Sequence, residues 1–409
     1  MKKGNRLTVY IIIALVAGII LGFIFNENFN TAELPRITEP FSLLPDVFLR
    51  LIKMIVAPLV FFTLVVGVAK LGDIKAVGRI GGKTLLWFVS ASLLSLLLGM
   101  LMVNFFQPGS AMHLPLPPAN ESTGITKTAL GLREFLYHVF PVSAVDAMAK
   151  NEILQIVVFA LFFGIATAAI GETGHIIIKA FDAIAHVILK VTGYVMQLAP
   201  LAVFGAMTSI VARQGPGILK TYSIFISEFY LGLLLLWILL LLAGAAFVSK
   251  RIFELVKRIK EPVLLAFTTS SSEAAFPKTM VELEKFGCRD KIVSFVLPLG
   301  YSFNLDGSMM YMTFASLFIA QSYGIHLALG TQLSMLLVLM LTSKGIAGVP
   351  RASLVVIAGT LSTFNIPEAG LALLLGIDPL LDMGRSATNV VGNSIAAVVV
   401  SKWENALEN

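Results

Sequence analysis

A stripe of polar and charged residues near the carboxyl end of the chain holds its most specific chemistry. Asp382 and Arg385 stand three residues apart in an otherwise apolar stretch. At 3.6 residues per turn, the whole stripe falls within one arc of roughly 100° on a helix. A stripe with both charge signs in so apolar a helix must face protein or a cavity. Its members are Asp378, Asp382, Arg385, Ser386, Asn389 and Asn393.

Two interpretations of this stripe are open. The guanidinium of Arg385 is a planar fork that matches a carboxylate with two parallel hydrogen bonds. The carboxylate of Asp382, one turn away, can receive an ammonium group, so a ligand with two carboxylates and one amine would satisfy both residues. The alternative is structural, since Asp382 and Arg385 can neutralise each other as a buried ion pair, which is not evidence of function by itself.

Two hydrophobic segments before the stripe are interrupted near their middles by small and polar residues. The first spans 255–289 around TTSSSE, and the second spans 331–365 around TSKGIAGVP. Unwound backbone at membrane depth is tolerated only where it is buried in protein or lines a cavity, and paired broken segments are typical of a transporter's binding site. We predict two re-entrant helical hairpins with tips near Ser272 and Pro350. Two short loops outside the membrane are the alternative.

A third interrupted helix, at 291–324, lies between the two hairpins. Asn304 and Asp306 stand near its middle, beside Gly307. An aspartate at the centre of a membrane helix costs about 2.5–3.5 kcal/mol to insert, so such a residue indicates a function. This carboxylate suits a hard cation or a proton. Glu273 at the first hairpin tip is a further candidate proton carrier, because a desolvated carboxyl holds its proton more readily.

The elements that position these residues are membrane helices. Of 409 residues, 57% are hydrophobic and 13% are charged, with a mean hydropathy of +0.88, whereas soluble chains carry about 25% charged residues. Apolar blocks of about 20 residues, long enough to cross ~30 Å of hydrocarbon, recur along the chain. With the broken helix, we predict an all-α polytopic membrane protein of eight transmembrane helices and two re-entrant hairpins. The seven unbroken helices are expected at approximately 8–25, 42–69, 83–106, 144–170, 178–212, 221–249 and 368–403.

The basic residues lie in short loops between helices, which predicts the orientation of the chain. Lysine and arginine are concentrated before the first helix and around 70–83 and 250–260, whereas 26–40 is mainly acidic. Cytoplasmic loops carry such an excess of positive charge. We expect a multi-pass protein of the inner (plasma) membrane, with both termini in the cytoplasm.

Several other classes of protein are disfavoured by the sequence. The net charge of +6 resides in loops between spans and does not indicate nucleic-acid binding. The single cysteine, Cys288, excludes an internal disulfide and shows no metal-ligand spacing, so we expect neither a metal site nor an organic cofactor. The chain lacks a phosphate-binding GxxxxGK motif and a GxSxG elbow, which argues against an ATP-driven pump and an intramembrane serine hydrolase. An anion channel stays an alternative to a carrier.

Four motifs in a fixed order give the chain a family resemblance. They are SSSE (270–273), GYSFNLDGS (300–308), SKGIAGVP (343–350) and DMGRSATNVVGN (382–393). In these strings the chain resembles the dicarboxylate/amino acid:cation symporters, which include the glutamate transporters. The resemblance covers essentially the whole chain, is strongest from Leu264 to Glu404, and looks closest to the bacterial proton-coupled glutamate/aspartate symporters.

The resemblance implies an elevator-type fold and a homotrimer in the lipid bilayer. Its scaffold domain would comprise helices 1 and 2 in 1–70 and helices 4 and 5 in 144–212. Its moving transport domain would comprise the third helix, 83–106, and the segment 221–409 with both hairpins, the broken helix and the last helix.

The resemblance also implies roles for the site residues. Arg385 would bind the side-chain carboxylate of the substrate, and Asp382 would bind its amino group. The presence of both favours an acidic amino acid, glutamate or aspartate, over succinate, serine or cystine. The site would be completed by Asn389, Ser386, Ser271 and Ser272 and by the backbone of Val349 and Pro350.

Departures from the family pattern bear on the coupling ion. Sodium-driven members have a carboxylate at the position of Asn393, and two of three oxygen ligands on the third helix are missing at Phe88 and Ala91, with only Ser92 present. We therefore favour H⁺ over Na⁺. The proton-carrying glutamate of some relatives corresponds to Met312. The candidate coupling residues are Glu273, Asn304, Asp306, Asp378 and Asn393, while sodium-coupled and C4-dicarboxylate symporters of the same family are the alternatives.

Overall fold

The computed structural model describes residues 3–30, 32–71, 74–111, 116, 137, 139–343 and 352–408. Within these residues the regular structure is helical, and no β-strand occurs. The tip of the second predicted hairpin, including Val349 and Pro350, lies outside the described residues.

The first part of the chain forms long apolar helices. Five stretches of the described chain are long and apolar enough to cross a membrane: Val9–Asn28, Leu34–Lys70, Lys75–Phe106, Glu172–Arg213 and Ser223–Val248. The helices are α1 (Lys3–Asn28), α2 (Leu34–Leu71), α3 (Ile74–Phe106), α4 (Pro108–Ala111), α5 (Ala144–Lys150), α6 (Ile153–Ala169), α7 (Glu172–Val195), α8 (Ala199–Thr221) and α9 (Ser223–Val248).

The second part is built from shorter helices joined by tight turns. Both members of the first hairpin and both halves of the broken helix are separate helices here. They are α10 (Arg251–Thr269), α11 (Ser272–Phe286), α12 (Asp290–Phe303), α13 (Asp306–Ser322), α14 (Leu329–Thr342), α15 (Ala352–Thr363), α16 (Ala372–Leu375) and α17 (Asp378–Trp403).

Several predicted helix boundaries need correction, and the helices expected over 42–69 and 83–106 begin earlier, at Leu34 and Ile74. The helix expected over 144–170 is two helices, because Asn151 takes a left-handed conformation (φ 56°) and the N–H of Glu152 bonds back to the carbonyl of Ala147 at 2.9 Å. The helix expected over 178–212 begins earlier, at Glu172, and a short 3₁₀ turn joins α7 to α8. The last helix begins at Asp378 instead of 368, because a 3₁₀ turn and a short helix precede it.

The first hairpin turns at two serines. Ser270 adopts a left-handed conformation (φ 49°) that ends α10, and the N–H of Ser271 bonds to the carbonyl of Ala266. The hydroxyl of Ser271 then caps α11 by accepting a hydrogen bond from the N–H of Ala274 at 3.2 Å. This pairing of a left-handed residue with an N-cap serine makes the sharp reversal possible without a glycine.

Packing divides the helices into two groups. In the first, α2 lies against α6, α7 and α8, and α1 lies against α8. In the second, α17 is surrounded by α9, α10, α11, α12 and α13, while α3 packs on α13. The groups meet where α2 contacts α11 and α12 and where α8 contacts α10. The polar stripe of α17 is therefore enclosed by the second group.

Candidate functional site

The charged residues of α17 form a buried cluster around Arg385. Its Nη2 lies 3.0 Å from Oδ1 of Asp378 and 3.0 Å from Oδ1 of Asp382. Its guanidinium carbon lies 4.1 Å from the centre of the Tyr311 ring, and the Tyr311 hydroxyl donates to Oδ1 of Asp378 at 3.1 Å. These four residues, Asp378, Asp382, Arg385 and Tyr311, are called the arginine cluster.

Two nitrogens of the Arg385 guanidinium remain available for hydrogen bonds. Arg385 is 2% exposed, yet its Nε and Nη1 have no hydrogen-bond partner among the described residues. A buried guanidinium N–H group without an acceptor carries a desolvation cost of about 1–3 kcal/mol or more. Such a group is a ready site for an incoming carboxylate.

Two members of the arginine cluster, Asp378 and Asp382, line an open cavity, and Asp382 is the more exposed of the two. The Asp382 side chain is 37% exposed and lines a cavity of about 250 Å³ between the two helix groups. Ser42 and Asp46 of α2 and Ser209 of α8 line the opposite wall, and the first hairpin contributes its tip at 268–270. Two carboxylates share one guanidinium here, so an ammonium group in the cavity would meet an incompletely neutralised acid.

A second buried cluster consists mainly of amides. The Asn304 side-chain nitrogen donates to Oδ2 of Asp306 at 3.0 Å and to Oδ1 of Asn393 at 3.2 Å. The Ser95 hydroxyl of α3 donates to the other Asp306 oxygen, Oδ1, at 3.4 Å. Asn304, Asp306 and Asn393 have no exposed surface. Asn304, Asp306, Asn393 and Ser95 are called the amide cluster.

Asn389 connects α17 to the break in the third interrupted helix. Its Oδ1 accepts hydrogen bonds from the backbone N–H of Gly307 at 2.9 Å and of Ser308 at 3.4 Å. These are first-turn N–H groups of α13, which have no partner within the helix. Asn389 therefore satisfies the start of α13, and it lies between the arginine cluster and the amide cluster along α17.

Close approach explains two glycines at this crossing. A Cβ atom at Gly392 would overlap Oδ2 of Asp306, and one at Gly307 would lie 2.8 Å from the Cα of Arg385. A side chain at Gly307 would force α17 away from the broken helix, and one at Gly392 would displace the Asp306 side chain from the amide cluster. The glycines of NLDGS and NVVGN therefore allow the polar residues of both segments to meet.

The structure separates the predicted site residues into different places. Asp378, expected among the coupling residues, contacts Arg385 and Tyr311 instead of Asp306. Ser271 is occupied as a helix cap and Ser272 and Ser386 are buried. Glu273 borders a narrow apolar cavity beside Val56 of α2.

Two residues near these clusters were missed by sequence reasoning. Tyr311 lies on the turn after Asp306, and Ser95 lies one turn beyond Ser92 on α3. A lone hydroxyl in an apolar helix is a weak signal, because it commonly bonds to its own backbone. Ser95 does bond to the carbonyl of Ala91 at 2.8 Å, as well as facing Asp306.

A bundle of apolar helices that encloses charged residues beside a cavity is typical of a membrane transport protein, and comparison with known sequences gives its family. The sodium:dicarboxylate symporter family matches residues 7–403. The chain belongs to this family of secondary transporters, which confirms the resemblance drawn from the four motifs and the all-α polytopic fold class.

Individual relatives carry two kinds of name. The chain is 42% identical to a "C4-dicarboxylate transport protein" of Laribacter hongkongensis, over 100% of this chain and 92% of the relative. It is 37% identical to a protein of the same name from Bacillus subtilis, over 100% and 96%. It is 41% identical to a "Proton/sodium-glutamate symport protein" of Geobacillus stearothermophilus, over 96% and 93%.

Proposed function

We propose that this symporter imports glutamate or aspartate together with protons. The observation that carries the substrate assignment is the combination of unpaired nitrogens on Arg385 with the exposed carboxylate of Asp382 beside the cavity. A substrate with two carboxylates and an amine uses both features, because one carboxylate meets the guanidinium and the ammonium meets Asp382.

The geometry of the guanidinium adds a step to binding. Nε and Nη1 each share an edge of the planar group with Nη2, and Nη2 already contacts Asp378 and Asp382. A carboxylate that binds either edge with two hydrogen bonds must therefore share or displace one of these aspartate contacts. The aspartates hold Arg385 in place until the substrate replaces one of them.

A C4-dicarboxylate is the second candidate substrate. It is favoured by the names of the Laribacter hongkongensis and Bacillus subtilis relatives. Succinate has no amine, so it would use Arg385 and offer no ammonium group to Asp382. Asp382 is thus the residue on which the two candidates differ.

The proposal of protons as coupling ion is supported by the composition of the amide cluster. Asp306 is its only carboxylate, and Asn393 supplies a neutral amide where a second carboxylate would favour a hard cation. Phe88 and Ala91, buried on α3, offer no side-chain oxygen. Sodium is the alternative, in line with the name of the Geobacillus stearothermophilus relative.

The proposed orientation places both termini on the cytoplasmic side of the inner membrane. It is supported by ion pairs that join the carboxyl end to the basic segments. Glu404 contacts Lys83 at 2.6 Å and Arg79 at 2.8 Å, and Arg251 donates to the Glu408 carbonyl at 2.6 Å. We further propose that the second group of helices, which surrounds α17, moves as an elevator against the first group, which packs around α2. As the family resemblance implies, this movement would take place within a homotrimer.

Uptake into liposomes that contain the purified protein tests these proposals. We expect aspartate to accumulate under an imposed proton gradient without sodium, to saturate, and to exchange with internal glutamate. Accumulation under a sodium gradient alone would reject the proton assignment. Succinate uptake without aspartate uptake would reject the assignment of an amino acid as the substrate. Flux that neither saturates nor supports exchange would indicate a channel.

A further inference from the structure

An apolar groove runs along the side of α17 that faces away from the arginine cluster. Its volume is about 480 Å³, which falls within the range of roughly 300–1,000 Å³ that is usual for ligand pockets. It lies between α9, α10 and α17, and α17 contributes Gly384 and Thr388 to its floor. At 3.6 residues per turn these positions lie on the opposite side of α17 from Asp382 and Asn389.

The uncharged polar side chains of the groove are already bonded. The Tyr230 hydroxyl donates to the Leu380 carbonyl at 2.6 Å, and the Trp237 indole N–H donates to the Thr388 hydroxyl at 2.8 Å. Thr388 in turn donates to the Gly384 carbonyl at 2.8 Å. These bonds leave hydrocarbon and aromatic surface for an occupant, so the groove suits an aliphatic chain better than a polar metabolite.

The groove is open to the hydrocarbon of the membrane. α9 is one of the five stretches able to cross a bilayer, and Leu234 on its groove side is 55% exposed. On α10 the lining runs from Val256 to Phe267. From Lys260 to Phe267 this lining extends about 10 Å at 1.5 Å per residue, which is within the ~15 Å depth of one leaflet.

A single lysine supplies the charge of the groove. Lys260 is the one charged residue among its described lining residues, and the lining contains no carboxylate. Among the described residues, Lys260 makes no ion pair, whereas Arg258 nearby pairs with Glu254 at 3.2 Å. A long basic side chain in such a position lays its stem on apolar surface and extends its ammonium group towards an anion at the interface.

We propose that this groove binds one anionic phospholipid, with an acyl chain between α9, α10 and α17 and its phosphate beside Lys260. The apolar lining matches the acyl chain of such a lipid, and the unpaired ammonium group matches its phosphate. The acyl chain would rest on Gly384 and Thr388, each one residue from a predicted substrate ligand, Arg385 or Asn389. The bound lipid would thereby support the back of the helix that carries the site.

Photo-crosslinking in liposomes tests the proposal independently of any transported substrate. Purified protein is reconstituted in phosphatidylcholine with a trace of phosphatidylglycerol that carries a diazirine in its acyl chain, or with the matching phosphatidylcholine probe. Mass spectrometry then locates the labelled peptides. We expect labelling of 256–267 and 384–391, with about a five-fold preference for the anionic probe, which corresponds to about 1 kcal/mol per lysine.

Three variants assign the preference to its cause. Lys260→Gln should remove the preference for the anionic probe while leaving the labelled peptides unchanged. Val263→Trp, which fills the middle of the groove, should reduce labelling by both probes. Lys402→Gln removes an exposed charge elsewhere and should change neither result. Equal labelling of the wild type by both probes, labelling spread over other helices, or a preference that survives Lys260→Gln would each overturn the proposal.

Discussion

The arginine cluster and the amide cluster differ in the two properties that matter for binding, charge and access. The arginine cluster contains three charged side chains and reaches a cavity through Asp382, whereas the amide cluster has a single carboxylate, Asp306, and is sealed from solvent. The proposed function assigns the substrate to the first cluster, which borders a cavity, and the coupling ion to the second, which is fully buried. On that proposal one helix, α17, would carry both sites at different depths.

Among the substitutions that test this difference between the clusters, removal of the Arg385 guanidinium should have the largest effect on substrate affinity. Arg385→Cys leaves the buried Asp378 and the partly exposed Asp382 without a counter-charge, and breaking a buried pair costs about 3–5 kcal/mol. We expect acidic substrate affinity to fall at least ~100-fold, with neutral amino acids admitted. Calorimetric titration with aspartate measures this, and Arg385→Lys is the charge-retaining control. Unchanged aspartate affinity would remove Arg385 from the site.

Glu273 provides a carboxylate outside both clusters, so its replacement tests whether proton coupling resides in the amide cluster at all. If Glu273 carries the proton, Glu273→Gln should abolish accumulation driven by a pH gradient, because the neutral amide cannot release a proton, while exchange continues. Liposome uptake and exchange assays measure the two activities separately. Glu282→Gln, on the same helix, is the matched control. Intact pH-driven accumulation would leave Asp306 and Asp378 as the candidates.

Replacement of Asp382 sharpens the substrate assignment within the arginine cluster. Asp382→Asn removes the acceptor for the amine, and a hydrogen bond to a charged group contributes about 1.5–3 kcal/mol. We expect aspartate affinity to fall roughly 10- to 100-fold, with little change for succinate. Competition between the two compounds gives the ratio. An equal loss for both would show that Asp382 acts by holding Arg385.

A second carboxylate in the amide cluster should make it resemble a cation site. Asn393→Asp would place two carboxylates on the single Asn304 amide, which now bonds both Asp306 and Asn393. Like charges so close favour a bound cation, so we expect sodium to raise aspartate affinity by roughly 10-fold. The control is Asn104→Asp, at the remote Asn104–Gln332 pair. Sodium independence of Asn393→Asp would contradict the proposed role of this position.

A charge change far from both clusters should affect stability alone. The Glu404 side chain is 6% exposed, and its hydrogen bonds to Arg79 and Lys83 lower its pKa below the usual value. Its stabilisation, about 1 kcal/mol, is present above about pH 4.3 and is lost as pH falls through the lowered pKa. Glu404→Gln should lower the apparent melting temperature at pH 7 but not at pH 3, with aspartate affinity unchanged. An equal shift at both pH values would contradict this.

Local sequence chemistry predicted the breaks in the helices well. Small and polar residues interrupt the apolar stretches at 268–273 and 304–308, and these interruptions predicted breaks where the structure ends helices at Thr269 and Phe303. The break at Asn151 was within reach of the same reasoning, since asparagine is a common helix-ending residue. The hydrophobic residues on both sides of it concealed the signal.

The partners within the clusters could not be predicted in the same way. Periodicity placed the polar residues of α17 on one arc, but it could not show that Asp378 joins Tyr311 and Asn393 joins Asn304. These contacts connect residues 67 and 89 positions apart in the chain. They depend on how α13 crosses α17, which the packing of whole helices determines.

The hydrogen bond between Trp237 and Thr388 makes Trp237 fluorescence a reporter of changes in α17. The chain has three tryptophans, and the other two, Trp87 and Trp403, lie against each other with ring centres 6.0 Å apart, far along α17 from Arg385. Of the three, only Trp237 donates a hydrogen bond to the part of α17 behind the arginine cluster, at Thr388. Replacing Trp87 and Trp403 by phenylalanine would leave Trp237 as the only tryptophan, so its emission would report the proposed lipid in the groove and the proposed substrate on the other side of α17.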